Sequence, residues 1–259
     1  MAALDYAQIA DIYDTYVTSE EDLPFFLEEA GKAAGPVLEL MCGTGRVAVP
    51  LAAAGIPMTC VDNSRPMLSI LRTKLKARRL PAKVVHADAT RLTLDGPFRL
   101  AIIPFNSFSE FRSTELQRSV LSGIRRCLAP DGRLIVTLHN PAVRRVRIDG
   151  QLHVLGQYPL ADSDDTLTLQ SVETLDPDTG LVSGHQYFEA YDRDGRLVWQ
   201  RILTVAFRLV NHREFQDLVR EAGFRVESLV GDYARSPFVE ASSPFMIWAL
   251  TRTDALQCA

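Results

Sequence analysis

The chain has 259 residues, of which 47% are hydrophobic and 23% charged, with a formal net charge of −4 at pH 7. That is enough apolar material for one large domain, or a domain carrying an insertion, and it is ordinary for a soluble globular protein. The acidic balance excludes an electrostatic footing for nucleic acid, and no apolar stretch approaches the roughly 18 residues that a membrane span requires.

The N-terminus, "MAALDYAQIADIYD", carries acids and no basic region of a signal peptide, so the expectation is a cytoplasmic protein. Residues 8–30 predict two short helices, the second opening at "SEEDLPFFLEEA" with Ser19 as its cap. Strand-like runs at 37–41, 57–61, 83–86, 98–103 and 133–139 then alternate with helical patterns at 46–54, 65–79 and 113–128, the last ended by "APDG". Strands separated by helices make βαβ units, and so a parallel sheet with right-handed crossovers. The basic run "KLKARR" at 74–79 reads as a solvated helix face.

Past about residue 144 the pattern changes to period two, with turn clusters "DPDTG" and "DRDG". That is antiparallel hairpin chemistry over roughly three or four strands. A helical pattern returns at 211–222, with Asn211 as cap and Gly223 as stop, followed by strands at 224–230 and 244–251. Cys42, Cys60, Cys127 and Cys258 form no C-x-x-C pair and share no ligand spacing with histidine. They read as reduced thiols, and no metal site is expected.

The chemistry concentrates in "VLELMCGTGRVAVPLAAAGI", a buried strand turning sharply into a helix. Gly43-x-Gly45-x-x-Ala48 satisfies a dinucleotide fingerprint, and glycines there let backbone and helix N-terminus approach a ligand closely. Asp62 in "CVDNS" ends the second strand, where it can accept both hydroxyls of a ribose. A dinucleotide and an adenosyl cofactor fit these residues equally well. Glu39, four residues before Gly43, favours the second. A carboxylate beside a pyrophosphate would cost several kcal/mol at partial burial, whereas S-adenosylmethionine has no phosphate and carries a sulfonium and an ammonium. Asp88 in "HADATRL" closes the third strand, placed for an adenine amino group, with the Ala89 backbone in reach of a ring nitrogen.

In these motifs the sequence resembles the class I S-adenosylmethionine-dependent methyltransferases. "VLELMCGTG", "CVDNSRPML", "HADATRL" and "LAIIPFNSF" are similar to the family's first four motifs, and "IRRCLAPDGRLIVTLHNP" to the helix, turn and fifth strand that follow. The resemblance covers nearly the whole chain, apart from detail in the insertion. Among subfamilies it is similar to small-molecule N-methyltransferases, such as the amino-sugar N,N-dimethyltransferases of antibiotic pathways. It implies a Rossmann-like α/β fold with a seven-stranded sheet ordered 3-2-1-4-5-7-6 and an antiparallel β insertion. On that pattern residues 1–34 are an N-terminal lid and helices, 35–143 and 210–259 the cofactor-binding core, and 144–209 an insertion over the acceptor site. Where many members have glycine before the Cys-Gly-Thr-Gly, this chain has Met41, which narrows the space around the methionine tail.

The resemblance also implies roles. Gly43 and Gly45 form the cofactor loop, Asp62 holds the ribose, and Asn63 and Met67 flank ribose and adenine. Glu39 acts on the methionine ammonium through water or the loop backbone. Arg46 reads either as a partner of the methionine carboxylate or as an exposed helix arginine. "IADIYDTYV" folds over the cofactor and brings Tyr13, with Tyr16, near the sulfonium or acceptor, since aromatic faces attract cations. Phe105 supports the cofactor and Asn106 faces the acceptor. The Asn-Pro-Pro-aromatic slot of nucleic-acid N-methyltransferases is absent, because Pro104 precedes Phe105 and Asn106. His139, at the end of the fifth strand, is an acceptor contact or general base, with Asn140 beside it, while His185, Tyr187 and His212 are further candidates. The expected activity is methyl transfer to a small-molecule acceptor, with nitrogen ahead of oxygen because the sequence offers one base and no dyad. A nicotinamide-dependent oxidoreductase and a non-catalytic partner protein that keeps the fold are the readings from other classes. The oligomeric state is not legible.

Overall fold

The computed structural model describes residues 5–161 and 163–253. Strand β1 (Val37–Leu40) is buried along its whole length, the condition under which a short apolar run sits in the centre of a parallel sheet. It is flanked by β2 (Met58–Asp62) and β4 (Phe98–Ile103), both parallel to it, with β3 (Ala82–His86) beyond β2 and β5 (Leu128–His139) beyond β4. Helices α1 (Tyr13–Tyr16) and α2 (Leu23–Ala33) precede the sheet, and α3 (Ala48–Ala53), α4 (Arg65–Ala77) and α5 (Thr114–Cys127) connect its strands. After β5 come α6 (Pro141–Arg144) and four strands, β6 (Leu152–Pro159), β7 (Thr166–Leu175), β8 (Leu181–Tyr191) and β9 (Leu197–Arg208). Helix α7 (His212–Glu221), β10 (Phe224–Val230) and β11 (Phe245–Arg252) complete the order.

The large sheet has seven strands in the order β10-β11-β5-β4-β1-β2-β3, with β11 antiparallel to both neighbours. Counting only the strands of this sheet, that is the expected 3-2-1-4-5-7-6. Period-two alternation divides its side chains between two helical layers. Leu38 and Leu40 pack with Val120, Ile124, Phe215 and Trp248 on one face. Val37 packs with Phe26, Leu68 and Leu71 on the other. Cys42, Cys60 and Cys127 are buried and unpaired, and Cys258 lies outside the described residues.

The insertion forms its own antiparallel sheet, β6-β7-β8-β9. One face carries Leu167, Leu169, Phe188, Leu203 and Val205, and the N-terminal segment packs Ile9 and Ile12 against it. Capping matches the sequence at α7, where the Asn211 side chain accepts from the Glu214 amide at 3.0 Å and Gly223 takes φ +81°. It differs at α2, which begins after Asp22 with no side-chain cap, since the Asp22 carboxylate is engaged elsewhere. β5 also starts earlier than expected, because the stretch around "APDG" stays in the sheet with Leu128 paired to Phe98. Among the described residues no helix is long and apolar enough to cross a membrane.

Candidate active site

Strand order reverses around β1, and in open α/β sheets ligands sit at such a point, beyond the carboxyl ends of the strands. A cleft of about 280 Å³ lies there. The ends of β1, β2 and β3 form its floor and the turn after β4 one wall. The N-terminal tyrosines close another side, and residues of β7, β8 and β9 form the roof.

The floor follows from the glycine loop. Gly43 lines the cleft with φ +54°, and a Cβ added there meets nothing within 4 Å, so it would project into open space. Gly45 faces away from the cleft. Its φ is +88°, and a Cβ there would lie 2.3 Å from Leu71 Cδ1, so glycine at this position lets α3 approach α4. Met41 also lines the cleft, in the left-handed region with φ 57°. That backbone favours glycine, which is the residue the family resemblance leads one to expect there.

Asp62 is fixed by two amides, accepting from Gly43 N–H at 2.9 Å on Oδ2 and from Ser64 N–H at 2.8 Å on Oδ1. Burial pushes its carboxyl above the usual range, and the two amides pull it back. Asp88 lines the cleft but also caps the turn Ala89–Arg91, accepting from the Thr90 amide and hydroxyl, each at 2.8 Å. Asn63, Met67 and Ala89 line the same half. Glu39 does not. Its carboxyl is buried beneath the loop, on the face that Val37 shares with α2 and α3, and its Oε2 has no hydrogen-bond partner. Burial, with Cys60 beside it, holds this acid well above the usual carboxylate range.

Phe105 and Asn106 take successive left-handed conformations, φ 56° and 62°, and both line the wall. Each costs roughly 1–2 kcal/mol for a non-glycine residue. The Arg46 guanidinium lies 4.7 Å from the Phe105 ring centroid. It is neither exposed nor part of the cleft lining, because Asp22 grips it through both oxygens at 2.5 and 2.6 Å and the Ser19 carbonyl accepts from it at 2.9 Å. Asn106 Oδ1 is buried with no partner.

The N-terminal segment is anchored at both ends. Asp14 accepts from Thr44 Oγ1 at 2.6 Å and pairs with Lys74 at 2.6 Å, tying α1 to the glycine loop. Asp11 holds Arg201 of β9 at 2.5 and 2.9 Å. Between them, Tyr6, Tyr13, Tyr16 and Phe188 stack edge to face or tilted at centroid distances of 6.0, 5.4 and 5.2 Å. Burial raises the Tyr13 and Tyr16 hydroxyls, which therefore stay protonated.

His139 lines the cleft and stacks on Phe245 at 6.1 Å. Burial, reinforced by Arg144 and Arg147, lowers it to about 4, so it is neutral at pH 7 and a weak base. Above it Arg144 pairs with Glu173 and lies 5.4 Å from the Phe207 ring. Asn140 is not part of the cleft, since it caps α6 and donates to the carbonyls of Glu240 and Ser243 at 2.7 and 2.8 Å. His185, Tyr187 and His212 also lie away from the cleft lining. Sequence reasoning missed Glu110. It sits in the cleft, accepts from the Tyr6 hydroxyl at 3.1 Å, and is pushed up to about 8 by burial and by Asp62. Its only sequence signal is an acid closing the turn that follows β4, which is also how an ordinary helix approach reads.

Residues 37–132 match the family model described as a methyltransferase domain. The cypemycin N-terminal methyltransferase of a Streptomyces species is 28% identical over 214 residues, covering 82% of this chain and 81% of its own length. The CcbJ methyltransferase of Streptomyces caelestis superposes with a TM-score of 0.80 at 25% identity, covering 97% of this chain and 99% of that one. CalS10 of Micromonospora echinaspora, an amino pentose methyltransferase solved with S-adenosylmethionine, shares the fold with a TM-score of 0.70 at 17% identity, covering 94% and 95%. Residues 37–132 therefore form a methyltransferase domain, within a chain whose sheet order and cleft at the reversal point are those of the class I S-adenosylmethionine-dependent methyltransferases.

Proposed function

We propose that this methyltransferase acts on the nitrogen of a small-molecule amine, held between the sheet floor and the four-stranded roof. The floor fits the cofactor. Each Asp62 oxygen is oriented by one amide and keeps a lone pair for a ribose hydroxyl. Gly43 leaves its side-chain space open on the cleft, Met67 and Ala89 offer apolar surface to a purine, and Asp88 keeps acceptor capacity for an exocyclic amine. When bound, the cofactor supplies a methyl group on a positively charged sulfur. The chain's task is then to align the acceptor and exclude water, and alignment alone is worth ~7–11 kcal/mol.

The observation that carries the reading is the composition of the far half of the cleft. Tyr6, Tyr13 and Tyr16 present neutral phenol rings, Glu110 an acid, and His139 a neutral ring under a roof of Val205, Gln186 and Phe207. Aromatic faces with one acid suit a cation on an apolar body, and His139, lowered to about 4, adds no competing positive charge at pH 7. On this reading Tyr13, Asn106 and His139 contact the acceptor, residues 144–209 close the cleft over it, and the roof excludes polymers. The relative whose name specifies an N-terminal methyltransferase agrees with nitrogen as the target. A turnover screen following S-adenosylhomocysteine release across amines, amino sugars, phenols and carboxylates tests it. Amines should lead, and turnover confined to phenols or carboxylates would refute it.

A further inference from the structure

Among the described residues four carboxyl groups line the cleft, and three are taken up. Asp62 holds the amides of Gly43 and Ser64, Asp88 the amide and hydroxyl of Thr90, and Glu173 the guanidinium of Arg144. Glu110 differs. It ends the short helical turn Ser107–Glu110 after β4 and accepts from a neutral phenol, the Tyr6 hydroxyl at 3.1 Å. Tyr6 belongs to the N-terminal segment and stands edge-on to Tyr13 at 6.0 Å, so acid and aromatic rings enclose one corner of the cleft.

We infer that Glu110 binds the ammonium group of the acceptor and takes its proton, so that the acceptor class is an alkylamine that is cationic in solution. This rests on the nitrogen-transfer reading above. An ammonium nitrogen has no lone pair and cannot attack a methyl carbon. In the step assigned to Glu110 an N–H bond breaks with its electron pair remaining on nitrogen, and the proton forms an O–H bond with the carboxylate. The nitrogen then has the pair with which to bond the methyl carbon. Taking that proton restores the resting acid, which gives its proton to solvent when the next ammonium binds, so one proton is released per methyl transferred.

The surroundings tune the group for this exchange. The titratable and charged groups facing Glu110 are Tyr6 and Tyr13 from the N-terminal segment, Asp62 from the end of β2, and Arg112 from its own loop. Burial and Asp62 push Glu110 up to about 8, while Tyr6 and Arg112 pull it down. An unperturbed glutamate near 4.3 lies roughly six pH units below an alkylammonium near 10.4, too weak a base to hold the proton. At about 8 the mismatch falls to about two units, within the range of an efficient general base.

The test uses the full chain saturated with S-adenosylhomocysteine, titrated calorimetrically at pH 7 with cyclohexylamine and with cyclohexanol, in two buffers of different ionisation enthalpy. A group one unit above ambient pH is about 90% protonated. Wild type should therefore release close to one proton per amine bound and none per alcohol. Glu110→Gln should release none and bind the amine at least tenfold more weakly, with alcohol and S-adenosylhomocysteine affinity within threefold of wild type. Tyr6→Phe keeps the carboxyl and should still release a proton, which guards against a folding defect in the first variant. No preference for amine over alcohol in wild type, or proton release that survives Glu110→Gln, overturns the inference. Turnover separates it from the reading beneath it. With any amine that is methylated, kcat/KM should level off near pH 8 in wild type and only near the free amine's own pKa in Glu110→Gln. If that shift is absent while amines are methylated, the inference falls and nitrogen transfer stands. If only ethers or esters are formed while the amine still binds with proton release, nitrogen transfer falls and Glu110's part in the reaction falls with it, leaving only its binding of an ammonium.

Discussion

Replacing Asp62 separates its two structural duties. The carboxylate accepts from the amides of Gly43 and Ser64 at 2.9 and 2.8 Å, so it shapes the glycine loop before any ligand arrives. It also ends β2 in the cleft, where it is proposed to take the ribose hydroxyls. A hydrogen bond to a charged group is worth about 1.5–3 kcal/mol. Asp62→Ala should therefore lower S-adenosylhomocysteine affinity by about 1.5–3 kcal/mol, or roughly 10- to 150-fold. Stranding the two loop amides should cost stability of a similar size, about 1–3 kcal/mol. Asp62→Asn keeps one acceptor oxygen and should fall between wild type and alanine on both counts. Calorimetric titration gives the affinity, and urea unfolding of the same preparations gives the stability. The informative failure is a split result. If stability drops while affinity stays within threefold, Asp62 only holds the loop and the ribose lies elsewhere.

The other expectations follow from backbone strain, burial and the lid. At Met41, with φ 57°, Met41→Gly should be about 1–2 kcal/mol more stable than Met41→Ala in urea unfolding, because alanine keeps the left-handed strain. Glu110 ionises at about 8 when folded and near 4.3 when unfolded, so the folded state binds the extra proton. Wild-type stability relative to Glu110→Gln should then fall as pH rises from about 4.3 to 8, by at most about 5 kcal/mol, and level off above that. His139 has the opposite sign, about 4 folded against about 6.5 unfolded, so acidification across that window should cost wild type up to about 3 kcal/mol, a slope absent in His139→Gln. His139→Ala should cut turnover while S-adenosylhomocysteine affinity stays within threefold, and an equal loss of affinity would remove His139 from the acceptor end. Amide exchange in residues 5–16 should slow on adding S-adenosylhomocysteine while the protected core at 37–61 is unaffected, and indifference to ligand would dispose of the lid.

The architecture was legible because its signals are local. Both-faces-buried runs such as "VLEL" and "LAII" have no other home than a central parallel strand. The turn clusters "DPDTG" and "DRDG" fell between β7 and β8 and between β8 and β9, as period two requires. Gly43 and Asp62 were legible for the same reason, being fixed by one tight loop and one strand end. What escaped depends on tertiary placement. Ser19 looked like a cap, but Arg46 draws both the Ser19 carbonyl and the Asp22 carboxylate to itself. Glu39 alternates with Leu38 and Leu40, and the pleat puts it beneath the loop rather than in the cleft. Glu110 and Tyr6 lie 104 residues apart and meet only because the N-terminal segment docks on the insertion sheet. Period two likewise could not say which face of that sheet forms the roof, so Glu173 and Gln186 went unseen.

Strain explains why the cleft was read from its glycines and not from its other special positions. Ala34, Met41, Arg79, Phe105, Asn106 and Arg235 are the non-glycine residues with positive φ among those described, and Met41, Phe105 and Asn106 line the cleft. A sequence advertises a left-handed backbone chiefly by glycine, sometimes by asparagine, so methionine and phenylalanine conceal it. Such conformations persist only where the surroundings over-determine them, and they gather at binding sites. Here the surroundings are on view. Arg46 lies over the exposed Phe105 ring while Asp22 fixes the arginine through both oxygens. The turn that begins at Asn106 ends at Glu110, which Tyr6 meets from the N-terminal segment. The left-handed pair therefore turns the chain at the end of β4 so that Glu110 enters the cleft. The strain at Phe105 and Asn106 and the placement of that acid are two sides of one local structure.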